Sequence, residues 1–166
     1  MLYAKMKFIF GLFLVLTITT AVADDLWQKL DKAAYFEAMA SDSKAIVEKQ
    51  LSALKTSAGT EKEAYEGALL MKKAGLVTLP KDKLKYFKAG RIELETALCA
   101  DAGNAEYHFL RLIIEEHAPK IVKYKADIAS DAALVKKAYK SLPSVVQHAV
   151  LDYSKTSKIL SPKDFE

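Results

Sequence analysis

The chain is poor in the residues that build most recognisable sites. A single cysteine in 166 residues excludes a disulfide framework, a cysteine-rich zinc site and a cysteine-ligated cluster. Glycine and proline number only 6 and 4, and there is no glycine-rich phosphate cradle among them. The 3 histidines are His108, His117 and His148. None lies in an HExxH motif, and Ala105, Ile114 and Val145 stand where a Glu-x-x-His pair needs its acid, so the usual di-iron bundle pattern is missing too. There is no GxSxG elbow and no CxxCH haem site. Glu93 and Glu95 are two apart on a helix and diverge, so glycosidase geometry is not indicated. From these absences we expect no metal, no cofactor and no catalytic residue, and a chain that is not an enzyme. Nor is there a concentrated basic stripe of the kind nucleic acid requires.

What is present points to helices and to export. Hydrophobic residues make up 51% of the chain, too many for a disordered tail, and the alanine, leucine and lysine content with so little glycine and proline favours an all-α fold. At the N-terminus, Lys5 and Lys7 precede a nearly continuous apolar run, Phe8 to Ile18, and then the tripeptide Ala21-Val22-Ala23 before Asp24 and Asp25. A basic start, a short apolar core and a small-x-small end mark a secretory signal peptide. The run is short for a span needing about 20 apolar residues. The reading is therefore a leader over residues 1–23, cleaved between Ala23 and Asp24, with an uncleaved anchor as the alternative. Its removal takes away two lysines and no acid, which leaves 143 residues and lowers the formal charge from +4 to +2. The protein is then periplasmic or secreted, with no stable membrane insertion. The lone Cys99 follows Ala97 and Leu98, a position that suits a small buried side chain.

Residues 24–166 read as one helical domain, since no linker or charge block divides them. Helical periodicity predicts about seven elements. The first runs from Asp25 to about Ala40, with Leu26, Trp27, Leu30 and Ala34 on one face. The second follows the cap oxygens of Ser41, Asp42 and Ser43 to about Lys55. Ser57-Ala58-Gly59 breaks the chain. Thr60-Glu61-Lys62-Glu63 has the form of a capping box, opening a helix that stops near Gly75. Pro80 suits the first turn of a fourth helix ending near Ala100; Gly90 inside it costs about 1 kcal/mol against alanine, so it is expected to permit close packing. Asn104 caps a fifth helix, apolar over more than one stripe and so the most enclosed, which Pro119 ends. A sixth covers about Asp131 to Lys140 and a seventh follows Ser141-Leu142-Pro143. Serines at helix starts, Ser41, Ser43, Ser130, Ser141 and Ser161, read as caps rather than nucleophiles. Glu115-Glu116-His117 reads as an exposed helix end, where His117 complements the terminal carbonyls.

The segment Tyr86-Phe87-Lys88-Ala89-Gly90-Arg91-Ile92-Glu93-Leu94-Glu95-Thr96-Ala97-Leu98 resembles the second helix of a tetratricopeptide (TPR) repeat, in its glycine, the leucine four later and the Ala-Leu pair. Asp101 to Glu106 is similar to the turn between repeats, and Thr60 to Ala74, with Tyr65, Gly67 and Leu70, to the preceding first helix. The connector from Gly75 to Pro80 is longer than the usual turn, Ala102 stands where a proline is usual, and Pro119 interrupts the next repeat. The likeness covers residues 60–117. It implies an array of antiparallel helix pairs that acts by binding in a groove. The chain is also similar to small exported bacterial helical proteins, which implies a location and a fold but no reaction.

Arg111 is the most unusual single residue, because it sits within Phe109-Leu110-Arg111-Leu112-Ile113-Ile114. A charge there must find an internal acid or line a groove. Glu93 or Glu95 is the expected internal partner; the functional alternative makes Arg111, with Tyr107 and His108, the contact for an acidic group of a partner. The expectation for function is a non-enzymatic adaptor that offers a helical groove to a peptide or protein of the cell envelope. The alternatives are a carrier of small apolar ligands lined by Met39, Met71 and the mid-chain aromatics, or an enzyme of unrecognised type.

Overall fold

The computed structural model describes residues 30–56 and 59–166. The expected leader, its Ala23/Asp24 boundary, Leu26 and Trp27 of the first helix, and Ser57 and Ala58 of the predicted break lie outside the described residues. Among the described residues seven α-helices follow one another: α1 (Lys32–Ala40), α2 (Lys44–Leu54), α3 (Gly59–Leu76), α4 (Pro80–Ala100), α5 (Ala105–His117), α6 (Ile128–Ala138) and α7 (Ser144–Ser154). Short 3₁₀ turns occupy Lys120–Val122, Tyr139–Ser141 and Pro162–Phe165. The described residues contain no strand, and the helices pack as antiparallel pairs. Among the described residues no helix is long and apolar enough to cross a membrane.

Local chemistry sets three of the helix starts. The Asp31 carboxylate accepts from the Ala34 amide at 3.1 Å, Pro80 occupies the first turn of α4, and the Asn104 side chain accepts from Glu106 and Tyr107 at 3.1 and 3.3 Å. Each removes an amide that a helix N-terminus otherwise leaves unpaired. Four boundaries depart from the sequence reading. The first helix, expected from Asp25, starts at Lys32, because Leu30 and Asp31 are not helical and Asp31 is the cap. α3 begins at Gly59, whose φ of 85° few other residues adopt, so Thr60 lies inside the first turn and is not a cap. Gly75 does not stop α3, which continues to Leu76. α6 starts three residues before Asp131 and passes into a 3₁₀ turn at Tyr139.

Among the described residues the apolar side chains form two clusters that share α5. The first gathers Tyr35, Val47, Leu54, Tyr65, Leu69 and Leu94 from α1 to α4, with Leu110 and Tyr107 of α5. Within it the Tyr35 ring stands edge-on to Tyr65 at 4.3 Å, and its hydroxyl donates to the Tyr65 carbonyl at 3.0 Å. That bond satisfies a phenol with no solvent exposure. The second cluster gathers Phe109 and Leu112 of α5 with Ala132, Val135, Val146, Val150 and Leu160. Phe36 joins the two, with its ring 5.4 Å from Tyr35 and 5.8 Å from Phe109. Through Phe109 and Tyr153, 5.7 Å apart, α7 lies against α5 on the side that α1 also contacts. Each fully buried Leu, Val or Phe in these clusters contributes about 1.5–3 kcal/mol relative to exposure.

α3 and α4 make the tightest pair, and glycine is the reason. A Cβ on Gly67 would lie 2.6 Å from the Leu94 amide nitrogen and 2.7 Å from the Gly90 carbonyl oxygen. A Cβ on Gly90 would meet Leu70 Cβ and Met71 Cγ at 2.9 Å, with the Gly67 carbonyl closer still. The two backbones touch where those glycines cross. Gly90 thus permits close packing, as its sequence position suggested. Cys99 does not follow expectation: it is exposed, because Ala97 and Leu98 take the inward positions of the last turn of α4.

Candidate functional site

The most elaborate polar constellation is built around Arg111, at the seam between α5 and α6. Helical spacing puts His108, Arg111 and Glu115 on one side of α5, and α6 brings Asp127 and Asp131, four residues apart, to face them. Arg111 Nε donates to Asp131 Oδ2 at 2.8 Å and Nη2 to Oδ1 at 2.7 Å, a two-pronged pair. Nη1 donates to Glu95 Oε2 of α4 at 3.2 Å and lies 3.5 Å from Asp127 Oδ2. His108 closes the cluster. Its Nδ1 lies 2.6 Å from Asp131 Oδ1 and its Nε2 2.9 Å from the Ala102 carbonyl. With an acceptor at each ring nitrogen, the protonated imidazolium satisfies both contacts.

The electrostatics follow from these contacts. Asp131 has no solvent exposure, and burial pushes its carboxyl up, yet the hydrogen bonds from Arg111 and His108 outweigh this and hold it below the usual carboxylate range. The Asp131 carboxylate raises the pKa of His108 against the opposing effect of burial, with help from the Ala102 carbonyl. Tyr124 donates its hydroxyl to Glu95, and burial, then that bond, pushes the phenol well above its ordinary range. Glu115 is fully buried. Its Oε1 accepts from the Asp127 amide at 3.1 Å and so serves the start of α6, which has no side-chain cap of its own. Its Oε2 has no protein partner, and burial raises its pKa.

The raised pKa of His108 has a definite sign. Its contribution to stability is complete below the ordinary value of 6.5 and fades as pH rises through the higher folded-state pKa. Thermal midpoints measured from about pH 6 to about pH 9 should fall across that window for the native chain. The same series for His108→Gln should be flatter. Identical slopes in the two proteins would show that the His108–Asp131 pair does not couple protonation to folding.

The structure brings His108 and Arg111 together on one carboxylate but places Tyr107 elsewhere. Tyr107 faces the first apolar cluster, and burial pushes its hydroxyl up to about 12. Of the two acids expected to pair with Arg111, Glu95 does so and Glu93 does not. Sequence reasoning missed Asp131, Asp127, Tyr124 and Glu115. The available signal was the Asp127/Asp131 spacing, which places two carboxylates on one face of a turn of helix. The Glu115-Glu116-His117 run is also less exposed than expected. His117 Nδ1 does reach back to the Ile113 carbonyl at 2.9 Å. Glu116, however, accepts from Tyr153 and Ser157 at 2.7 Å each and from the Lys158 amide. Burial works against its charge, but those bonds keep its pKa below the ordinary value.

A second feature lies at the start of α1. A cleft of about 370 Å³ opens between the starts of α1, α3 and α7. Leu30, Ala33, Pro143 and Val145 supply apolar surface; Asp31, Lys32 and Glu61 supply charge. Lys32 is fixed there by Glu61 at 2.9 Å and Glu106 at 2.8 Å. Among the described residues no group of three His, Cys, Asp or Glu side chains is placed to hold a metal ion. Comparison with known proteins finds no family model that matches the chain, and no curated protein or solved structure with significant similarity to it.

Proposed function

We propose that this chain works by binding, as an exported adaptor of the cell envelope that offers the cleft between α1, α3 and α7 to a peptide or protein. The observation that carries the reading is the cleft itself, where apolar side chains sit beside a pre-formed charge set. Lys32 is held by two carboxylates, and Glu61, whose side chain is 52% exposed, keeps acceptor capacity for a partner's amide or cation. Apolar side chains of a peptide would rest on Leu30, Ala33, Pro143 and Val145 while its amides meet Glu61.

The α3–α4 hairpin supports a TPR-like reading of the central helices. Its backbones meet at Gly67 and Gly90, and the Asn104-capped turn that follows leads directly into α5. Beyond His117 the likeness ends, since α6 and α7 fold back on α5 instead of extending an array. In this proposal the Arg111 cluster is the clamp that holds α6 in place, and the partner is met at the cleft.

A photo-crosslinking side chain at Val145, with a control at Lys163, tests the proposal in the native envelope. A discrete adduct with one protein from Val145, absent from Lys163 and lost when Glu61→Lys is added, supports the adaptor. Equal labelling from both positions, or none from Val145, removes the cleft as a protein contact.

A further inference from the structure

The outward face of α4 combines features that the rest of the fold does not need. Among the described residues, the large apolar side chains left exposed are Ile46, Leu79, Leu84, Ile92 and Ile121. Leu79 immediately precedes α4, and Leu84 and Ile92 lie on it, exposed by 53% and 69%. Between Pro80 and Ile92 the chain carries five cations, Lys81, Lys83, Lys85, Lys88 and Arg91, against the single acid Asp82. Lys81, Leu84, Lys85, Lys88 and Ile92 follow one another at steps of one, three or four residues, so they share one stripe. All five are exposed, and the stripe lies opposite Gly90, Leu94 and Ala97, which face the core.

The turn after α5 adds to this face. Tyr124 packs beside α4, with its ring 5.7 Å from Phe87 and 5.2 Å below the Arg91 guanidinium. The 3₁₀ turn that leads into Tyr124 carries Ile121, 88% exposed, between Lys120 and Lys123. Single exposed aliphatic residues are ordinary on a protein surface. Here they recur in the first half of a 21-residue helix, within a short run of cations that ends at Glu93 and that the overall charge pattern of the sequence did not reveal.

We propose that this face docks on an anionic lipid surface, with Leu84 and Ile92 entering the acyl boundary and Lys81, Lys85 and Lys88 meeting the phosphates. The inference goes beyond the adaptor reading and uses a different part of the molecule. Three physical arguments select the occupant. The crest of one helix is convex and offers no walls to grip a peptide, whereas a fluid bilayer receives protruding aliphatic tips. Lysines at this spacing match a layer of negative headgroups, each worth about a fivefold gain in binding near such a surface. A second copy of the same face would set lysine against lysine, which opposes self-association.

The experiment uses the chain from Asp24 onward, whose described core clusters lie wholly between Leu30 and Phe165. Its single cysteine, Cys99, is exposed and lies two turns beyond Ile92 on the same stripe. An environment-sensitive fluorophore on Cys99 is titrated with vesicles of phosphatidylcholine, with and without phosphatidylglycerol. Sedimentation of unlabelled protein with the same vesicles gives a second readout. The expected result is a blue shift and co-sedimentation only with the anionic vesicles, weakened by salt. Replacing Lys81, Lys85 and Lys88 together by glutamine should weaken the partition on the order of 100-fold. Ile92→Gln should weaken it about fivefold or more. All four positions are exposed, so thermal midpoints should stay near that of the parent, and a variant that unfolds is replaced by Lys88→Gln alone. Equal partition into both vesicle types, no partition, or an unchanged triple variant overturns the proposal. Capture of the labelled chain by polyglutamate but not by vesicles also overturns it and assigns the face to an acidic polypeptide. The crosslink from Val145 is independent of every one of these outcomes, so the two readings fail separately.

Discussion

Arg111→Met should lower the free energy of unfolding by about 3–5 kcal/mol, read as the shift in a urea midpoint. Arg111 is 8% exposed and binds a carboxylate on a residue with no exposure at all. Removing it leaves Asp131 buried with His108 as its remaining ionic partner, while Glu95 and Asp127, more accessible to water, lose a cation at smaller cost. Stranding one partner of a buried pair is costly because the other keeps its desolvation penalty without its attraction. The second substitution follows from the same reasoning. Adding Asp131→Leu to Arg111→Met removes the stranded charge, so the double variant should recover most of the loss. If Arg111→Met unfolds at the parent's midpoint, the cluster is not what fastens α6 to α5.

Gly67→Ala should cost about 1–3 kcal/mol or more, although alanine is the better helix former by about 1 kcal/mol. The new methyl group would meet the Leu94 nitrogen and the Gly90 oxygen at 2.6 and 2.7 Å. Both are backbone atoms of the facing helix, so relief requires α3 and α4 to separate along their length rather than one side chain to turn. Gly90→Ala meets the same crossing from the other side and should behave alike. Gly75→Ala is the internal control. It lies within α3 with nothing inside 4 Å of the added carbon, and it should stabilise by up to about 1 kcal/mol. Thermal melts of the three variants decide the matter. A stabilised Gly67→Ala would mean that the helices are not in backbone contact.

These two sites show what a linear reading can and cannot reach. The extent of α4, the Asn104 cap and the end of α5 before Pro119 were legible because their causes are local: a proline in the first turn, an amide acceptor two and three residues away, a residue that cannot continue a helix. The need for an acid beside Arg111 was legible for the same reason, since the apolar run on either side of it is visible in the sequence. Glu95 was legible as one such acid, but the two-pronged partner was not. Asp131 is 20 residues away and reaches Arg111 only because α6 folds back on α5, a matter of tertiary packing. Gly75 and Cys99 were misread in the other direction. Gly75 looks like a stop, but α3 needs none before Leu76, and Cys99 looks like a core residue although its neighbours already fill the inward positions. Glu115 was missed because a carboxylate amid other charges gives no sign that a second helix will bury it.

The sharing of α5 by both apolar clusters has a consequence for how the chain assembles. A chain lengthening from its N-terminus completes the first cluster once Tyr124 is in place. At that moment one side of α5 is covered, while Phe109, Leu112 and the Arg111 guanidinium on the other still lack the residues that will enclose them. Neither half can then behave as an autonomous module: losing α6 and α7 uncovers the helix against which α1, α3 and α4 have already packed, and loosening those helices releases the support on which α6 and α7 rest. The architecture joins two hydrophobic interiors into a single cooperative unit, with the energetic centre of the molecule in the thirteen residues of α5.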